Sequence, residues 1–212
     1  MPGLSGTGRV ADDLYLVGHH EITGKPHVQP RALGLGLAGG LLAELMLGRH
    51  IGLWQERVVV ASRAVPGDEL TGHLLGLLAS ERERRPVRDW LVFLGRTAAG
   101  DVARRLAGAG YLTVARSRWR GRRWVPADPD SAFAPILRVT ATMDRSRPLT
   151  AHNAVLAGLV TACGLDFRLP PYTPPRTDRT TKEAVAQLHP ALRELIAHTQ
   201  AAVDAALLAH RA

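Results

Sequence analysis

Between Arg82 and Arg123 the sequence carries twelve arginines against Glu83, Asp89 and Asp101, a local charge of +9 in a chain whose formal total is +8. The remainder is therefore nearly balanced. Charge gathered this way implies one basic face rather than a generally basic protein, and such a face suits phosphate-bearing partners: lipid headgroups, nucleic acid or a nucleotide. Its densest part is Arg116-Ser117-Arg118-Trp119-Arg120-Gly121-Arg122-Arg123-Trp124, where arginines are interleaved with indoles. The flanking β-prone runs, Tyr111–Val114 and Arg122–Val125, make it a basic hairpin. Three uses fit. With a helix over Ala98–Ala109 and Gly110 ahead of it, the order is that of a winged helix, whose wing touches phosphates. Arginine beside indole also suits a membrane interface, with guanidinium at phosphate and ring at headgroup depth. Or alternate residues of the hairpin simply face water. Charge alone leaves all three open.

Other chemistry is thinly represented. There is no glycine-rich phosphate loop ending in lysine, no G-x-S-x-G and no paired metal-ligand motif. Gly34-x-Gly36-x-x-Gly39 matches a dinucleotide fingerprint in letters, but it lies inside a helical pattern with no βαβ unit around it. His19-His20-Glu21 lacks a second ligand pair and reads as a solvated turn. His152, His189, His198 and His210 show no shared-ligand spacing. Cys163, the single cysteine, rules out an internal disulfide, fits a reducing compartment and reads as a small buried residue. The expectation is a chain with no catalytic residues, metal or cofactor. No signal-peptide pattern is present, so the expected location is cytoplasmic.

The element that must position the basic face is the stretch from Pro30 to Leu53. From Leu33 to Leu47 only Glu44 is charged, and apolar side chains go right round the helical wheel. This run falls short of the roughly 20 residues that cross a bilayer, so it reads as a buried central helix. Pro30 suits its first turn, and Gly48 suits its C-terminal cap. Each of Gly34, Gly36, Gly39 and Gly40 weakens a helix by about 1 kcal/mol relative to alanine, which close packing of neighbouring helices must offset. Glu44 is expected to pair with an arginine.

Around this helix the pattern gives a short helix over Leu14–Val17 with Asp12 and Asp13 in its first turn. Ile51–Trp54 and Arg57–Val60 form a hairpin about Gln55-Glu56. Asp68 caps a helix from Glu69 to about Arg84, and Pro86 ends it. Further helices cover Val87–Gly95, Ala98–Ala109, a stretch from Asp128 to Met143, and Leu149–Cys163. Residues 165–180 are a proline-rich connection, and a last helix opens at Thr181, with a bend at Pro190. The fold class is mainly α: a compact helical domain around a buried central helix, with two β-hairpins. A flexible N-terminus over 1–9 precedes a single domain over 10–212.

The run Leu37–Leu53, LAGGLLAELMLGRHIGL, resembles the hallmark stretch of the Golgi phosphoprotein 3 family, which includes bacterial members. The likeness continues through Val58–Val60, Val65-Pro66-Gly67-Asp68, Trp90-Leu91, Val102–Leu112 and Trp124-Val125-Pro126-Ala127-Asp128-Pro129. It spans about Asp12 to Leu165. The resemblance implies a helical, non-catalytic peripheral membrane protein, binding phosphatidylinositol 4-phosphate in the Golgi members. Their headgroup pocket uses a tryptophan before the central helix, an arginine ahead of its glycine pair, and two arginines one turn apart. Those places hold Gln29, Ala38, Arg96 and Ala99, so Arg96 alone carries over. Arg31, Arg104 and Arg105 can restore charge if they share its surface. The expected lipid-binding set is Arg96, Arg31, Arg104 and Arg105, with Arg118, Trp119 and Arg120 of the hairpin. The expected partner is an anionic phospholipid headgroup on the inner face of the membrane. A nucleic-acid regulator with a basic wing, or a scaffold binding an acidic protein, are the alternatives.

Overall fold

A computed structural model describes residues 7–117, 121–143, 149–169 and 174–211. Helix α1 (Val10–Gly18) is buried along its whole length, its two first-turn acids included. It packs on α2 (Pro30–Leu47), the central helix, of which Ala32 to Ala43 and Leu45 are buried. With Pro30–Ala32 included, α2 reaches 18 residues and is apolar enough to cross a membrane by length and composition alone. Burial decides otherwise, since α2 touches α1 and five later helices of the fold. Its glycines are where those helices come closest. A Cβ on Gly40 would lie 3.0 Å from the Ala11 Cα of α1, and one on Gly39 would lie 2.7 Å from the Thr199 hydroxyl. Gly36 meets the Cys163 sulfur and Gly34 the Gly95 carbonyl at still shorter range. The helix closes with His50 N–H donating to the Leu45 carbonyl, and the left-handed residue is Arg49 rather than Gly48.

Strands β1 (Ile51–Trp54) and β2 (Arg57–Val60) pair antiparallel with Trp54 opposite Arg57, as the sequence pattern requires. Gln55 and Glu56 both take positive φ, the geometry a two-residue hairpin turn demands even without asparagine or glycine. Asp68 caps α3 (Glu69–Ser80) by accepting from Thr71 N–H. This helix ends four residues before the expected Arg84. Glu81 turns extended, and the following segment runs back beside β2, where Val58 N–H donates to the Arg85 carbonyl. Helices α4 (Val87–Leu94) and α5 (Ala98–Gly108) follow, then β3 (Leu112–Ser117) and β4 (Gly121–Pro126), paired from Leu112↔Pro126 to Ser117↔Gly121.

Asp128 accepts from Asp130 and Ser131 N–H at the start of α6 (Pro129–Met143), and Thr150 caps α7 (Ala151–Ala162). The proline-rich connection is shorter than expected. A 3-10 turn occupies Asp166–Arg168, and α8 runs from Pro174 to Ala186 rather than opening at Thr181. Pro190 does not bend a helix but starts a new one, α9 (Pro190–Arg211), because proline fits a first helical turn. At the other end, Thr7 is fastened rather than free: its backbone N–H and hydroxyl both donate to Asp13 at 3.0 Å.

Candidate functional site

Where α4 and α9 lie against the first turns of α2, they leave a pocket of about 520 Å³. Arg31 stands in the first turn of α2. Arg88, Val92 and Arg96 follow at four-residue spacing, along α4 and just past its end, so they share one side. Ala202, Ala205 and Ala206 of α9 supply small side chains that keep the space open. No carboxylate lines it, and all three arginines are exposed. Among the described residues none of the three guanidiniums is engaged in a hydrogen bond or ion pair. The first turn of α2 has neither an acid nor a side-chain cap, so the positive end of its dipole opens on the same space. An anion entering here meets three guanidiniums, each able to fork onto phosphate or carboxylate oxygens.

Arg105 is elsewhere. It was expected on the basic face, but its side chain is only 7% exposed. It points inward from α5 and forks onto Glu44, with Nη1 at 2.9 Å from Oε2 and Nη2 at 3.0 Å from Oε1. Its Nε donates to Asp12 at 2.8 Å, and Nη1 reaches Asp68 at 3.3 Å. Ala11 N–H adds a donor to Glu44 at 2.8 Å. Burial pushes Asp12 up to about 6 despite the guanidinium beside it. Burial would lower Arg105, yet its bonds to Glu44 and Asp12 raise it further above the ordinary range. This arginine is the partner Glu44 needs, and it is withdrawn from any ligand. A second buried acid, Asp13, is held by Arg138 and by His152 Nε2 at 2.9 Å.

Arg104, also expected to bind lipid, is exposed on α5 and paired with Asp101; it does not line the pocket. Arg118, Trp119 and Arg120 lie outside the described residues. Trp124 is half-buried against the core, which leaves only part of this indole open to an interface. Of the family positions, Ala38 is fully buried and Ala99 packs partly on the core, so neither place can be refilled by a surface arginine without rearrangement. The structure thus unites Arg31 with Arg96 and adds Arg88, which sequence reasoning missed. The signal was present in the four-residue spacing of Arg88, Val92 and Arg96, hidden inside a longer arginine run.

The His19-His20-Glu21 segment is not wholly solvated. His19 is buried, hydrogen-bonded through Nδ1 to the Tyr15 carbonyl at 2.8 Å, and burial pushes it down to about 4. Glu21 pairs with Arg168 at 3.1 Å. Among the described residues no three His, Cys, Asp or Glu side chains gather as a metal site. Cys163 is buried against α2, and burial pushes its thiol up to about 12.

A search of curated proteins finds no match to the chain. The family model for Golgi phosphoprotein 3 (GPP34) matches residues 10–199, from the first residue of α1 well into α9. The central helix, the hairpins and the capped helices that carried the resemblance all fall inside that span, and the chain belongs to the Golgi phosphoprotein 3 family.

Proposed function

We propose that this Golgi phosphoprotein 3-like chain is a non-catalytic peripheral membrane protein that takes an anionic lipid headgroup between Arg31, Arg88 and Arg96. The observation that carries this reading is the gathering of three exposed arginines, without one acid, around an open pocket at the uncapped start of α2. Unpaired guanidiniums repel one another, and an incoming phosphate relieves that repulsion while gaining charge-assisted hydrogen bonds. The expected setting is the cytoplasmic side of a membrane, where anionic lipid draws each nearby arginine with about 1 kcal/mol. A phosphoinositide is the headgroup the family suggests, and Arg31 and Arg88 here supply charge that Ala38 and Ala99 do not. The nucleic-acid reading has less support, because α5 shows solvent only one arginine, already paired, and turns the other inward.

The test is binding of the Arg31→Gln/Arg88→Gln/Arg96→Gln variant to phosphatidylcholine vesicles. Separate arms carry a phosphatidylinositol phosphate, phosphatidic acid or phosphatidylserine. Loss of up to about 3 kcal/mol, over a hundredfold at low salt, is expected on the headgroup the pocket prefers. Binding equal to wild type in every arm would refute the proposal, and binding of duplex DNA lost in the same variant would favour the alternative.

A further inference from the structure

We propose that α4 is the edge on which the protein enters the bilayer, with Phe93 and Val92 inserting between headgroups beside the pocket; the inference rests on the headgroup reading above. Helix α4 buries Val87, Trp90, Leu91 and Leu94 in the core. Its outer side should therefore be polar, and Arg88, Asp89 and Arg96 follow that rule. Val92 and Phe93 break it, at 38% and 49% exposed. Single exposed apolar residues are ordinary on any protein. These two are adjacent, and Val92 stands between the two arginines that α4 lends to the pocket.

The Phe93 ring meets the buried Trp90 edge-on, with ring centroids 6.0 Å apart, and leaves its outer edge in solvent. Across the pocket, Leu208 stands one turn beyond the lining residue Ala205 and is 67% exposed. Apolar side chains flanking a cluster of unpaired arginines are what an anionic membrane surface complements: guanidiniums meet phosphates while the rings and branched chains reach acyl carbon just below. A small soluble anion would satisfy the arginines and leave Phe93 wet. The geometry therefore commits the face to a lipid surface, and lipid insertion and headgroup capture occur together.

Insertion is read directly by an environment-sensitive dye on the Phe93→Cys variant. Cys163 is buried with its thiol pushed up to about 12, so the new cysteine takes the label. A blue shift on adding phosphatidic acid vesicles is expected, and none with pure phosphatidylcholine. In parallel, unlabelled Phe93→Ser should bind those vesicles about tenfold more weakly, and by the same factor at low and high salt, because apolar burial is not screened. Val65→Ser, at a site 89% exposed and away from the pocket, is the control and should change nothing.

Loss of binding in the triple arginine variant, with Phe93→Ser equal to wild type, would overturn the insertion and leave the pocket reading standing. Failure of the wild type to bind any anionic vesicle would overturn both. A dye shift that follows protein concentration without lipid would mean that a second copy of the chain covers this face, which also overturns the proposal.

Discussion

Replacing Arg105 by methionine tests whether the interior is organised as the structure says. The substitution keeps an unbranched chain of similar reach and removes the guanidinium. What remains is Glu44 at 9% and Asp12 at 3% side-chain exposure, with Ala11 N–H still donating to Glu44. Breaking a buried ion pair from one side costs about 3–5 kcal/mol, because the surviving charge is neither solvated nor paired. That is a large share of the roughly 5–15 kcal/mol by which domains are stable. The penalty must also depend on pH. Without the guanidinium, which lowers it, the Asp12 carboxyl that burial already holds at about 6 rises further above its unfolded value. A raised carboxyl gives stability that is present at low pH and lost as pH rises through the folded pKa. Urea unfolding at pH 7.5 and pH 5 should therefore show a smaller gap between variant and wild type at the lower pH. A cost below about 1 kcal/mol at neutral pH, or a gap that does not narrow on acidification, would refute this account of the network. If Arg105 were on the ligand-binding face instead, the folded variant would lose vesicle affinity; the structure predicts that it keeps it.

The remaining predictions concern packing and acid sensitivity. Gly40→Leu places a side chain where the Ala11 backbone already lies 3.0 Å from an added Cβ, so it should destabilise by about 1–3 kcal/mol or more. An unchanged or raised melting temperature would mean that α1 does not pack there. His19, depressed from 6.5 to about 4 by burial, takes its proton later than the unfolded chain does. Its contribution is complete above pH 6.5 and is lost as pH falls toward 4, by about 3 kcal/mol at most. Asp12, raised from 3.8 to about 6, opposes this, losing stability as pH rises through 6. His19→Gln should therefore lose less stability than wild type between pH 6.5 and 4. Urea midpoints that fall as steeply as wild type over that range would contradict it.

The sequence by itself determined the central helix and most of what surrounds it. A run that is apolar on every side leaves α2 no stable place but the interior, and its glycines mark where other backbones come close. Turn and cap chemistry is equally local: Asp68 and Asp128 bond backbone N–H groups two or three residues away, so their helices start where the letters say. Long-range pairing was not legible. Arg104 and Arg105 are neighbours in the chain, yet one turns to solvent and the other meets Asp12 across 93 residues of sequence. A helical wheel separates two such arginines by a third of a turn but does not say which of them faces inward when the inner partners are charged. The same reason hid the pocket. Arg88 and Arg96 share a side by their spacing alone, whereas Arg31 and the alanines of α9 join them only because α4 and α9 both pack on α2. The end of α3 at Ser80 was likewise set by the segment after it pairing with β2, a contact that competes with continued helix and that only the folded chain provides.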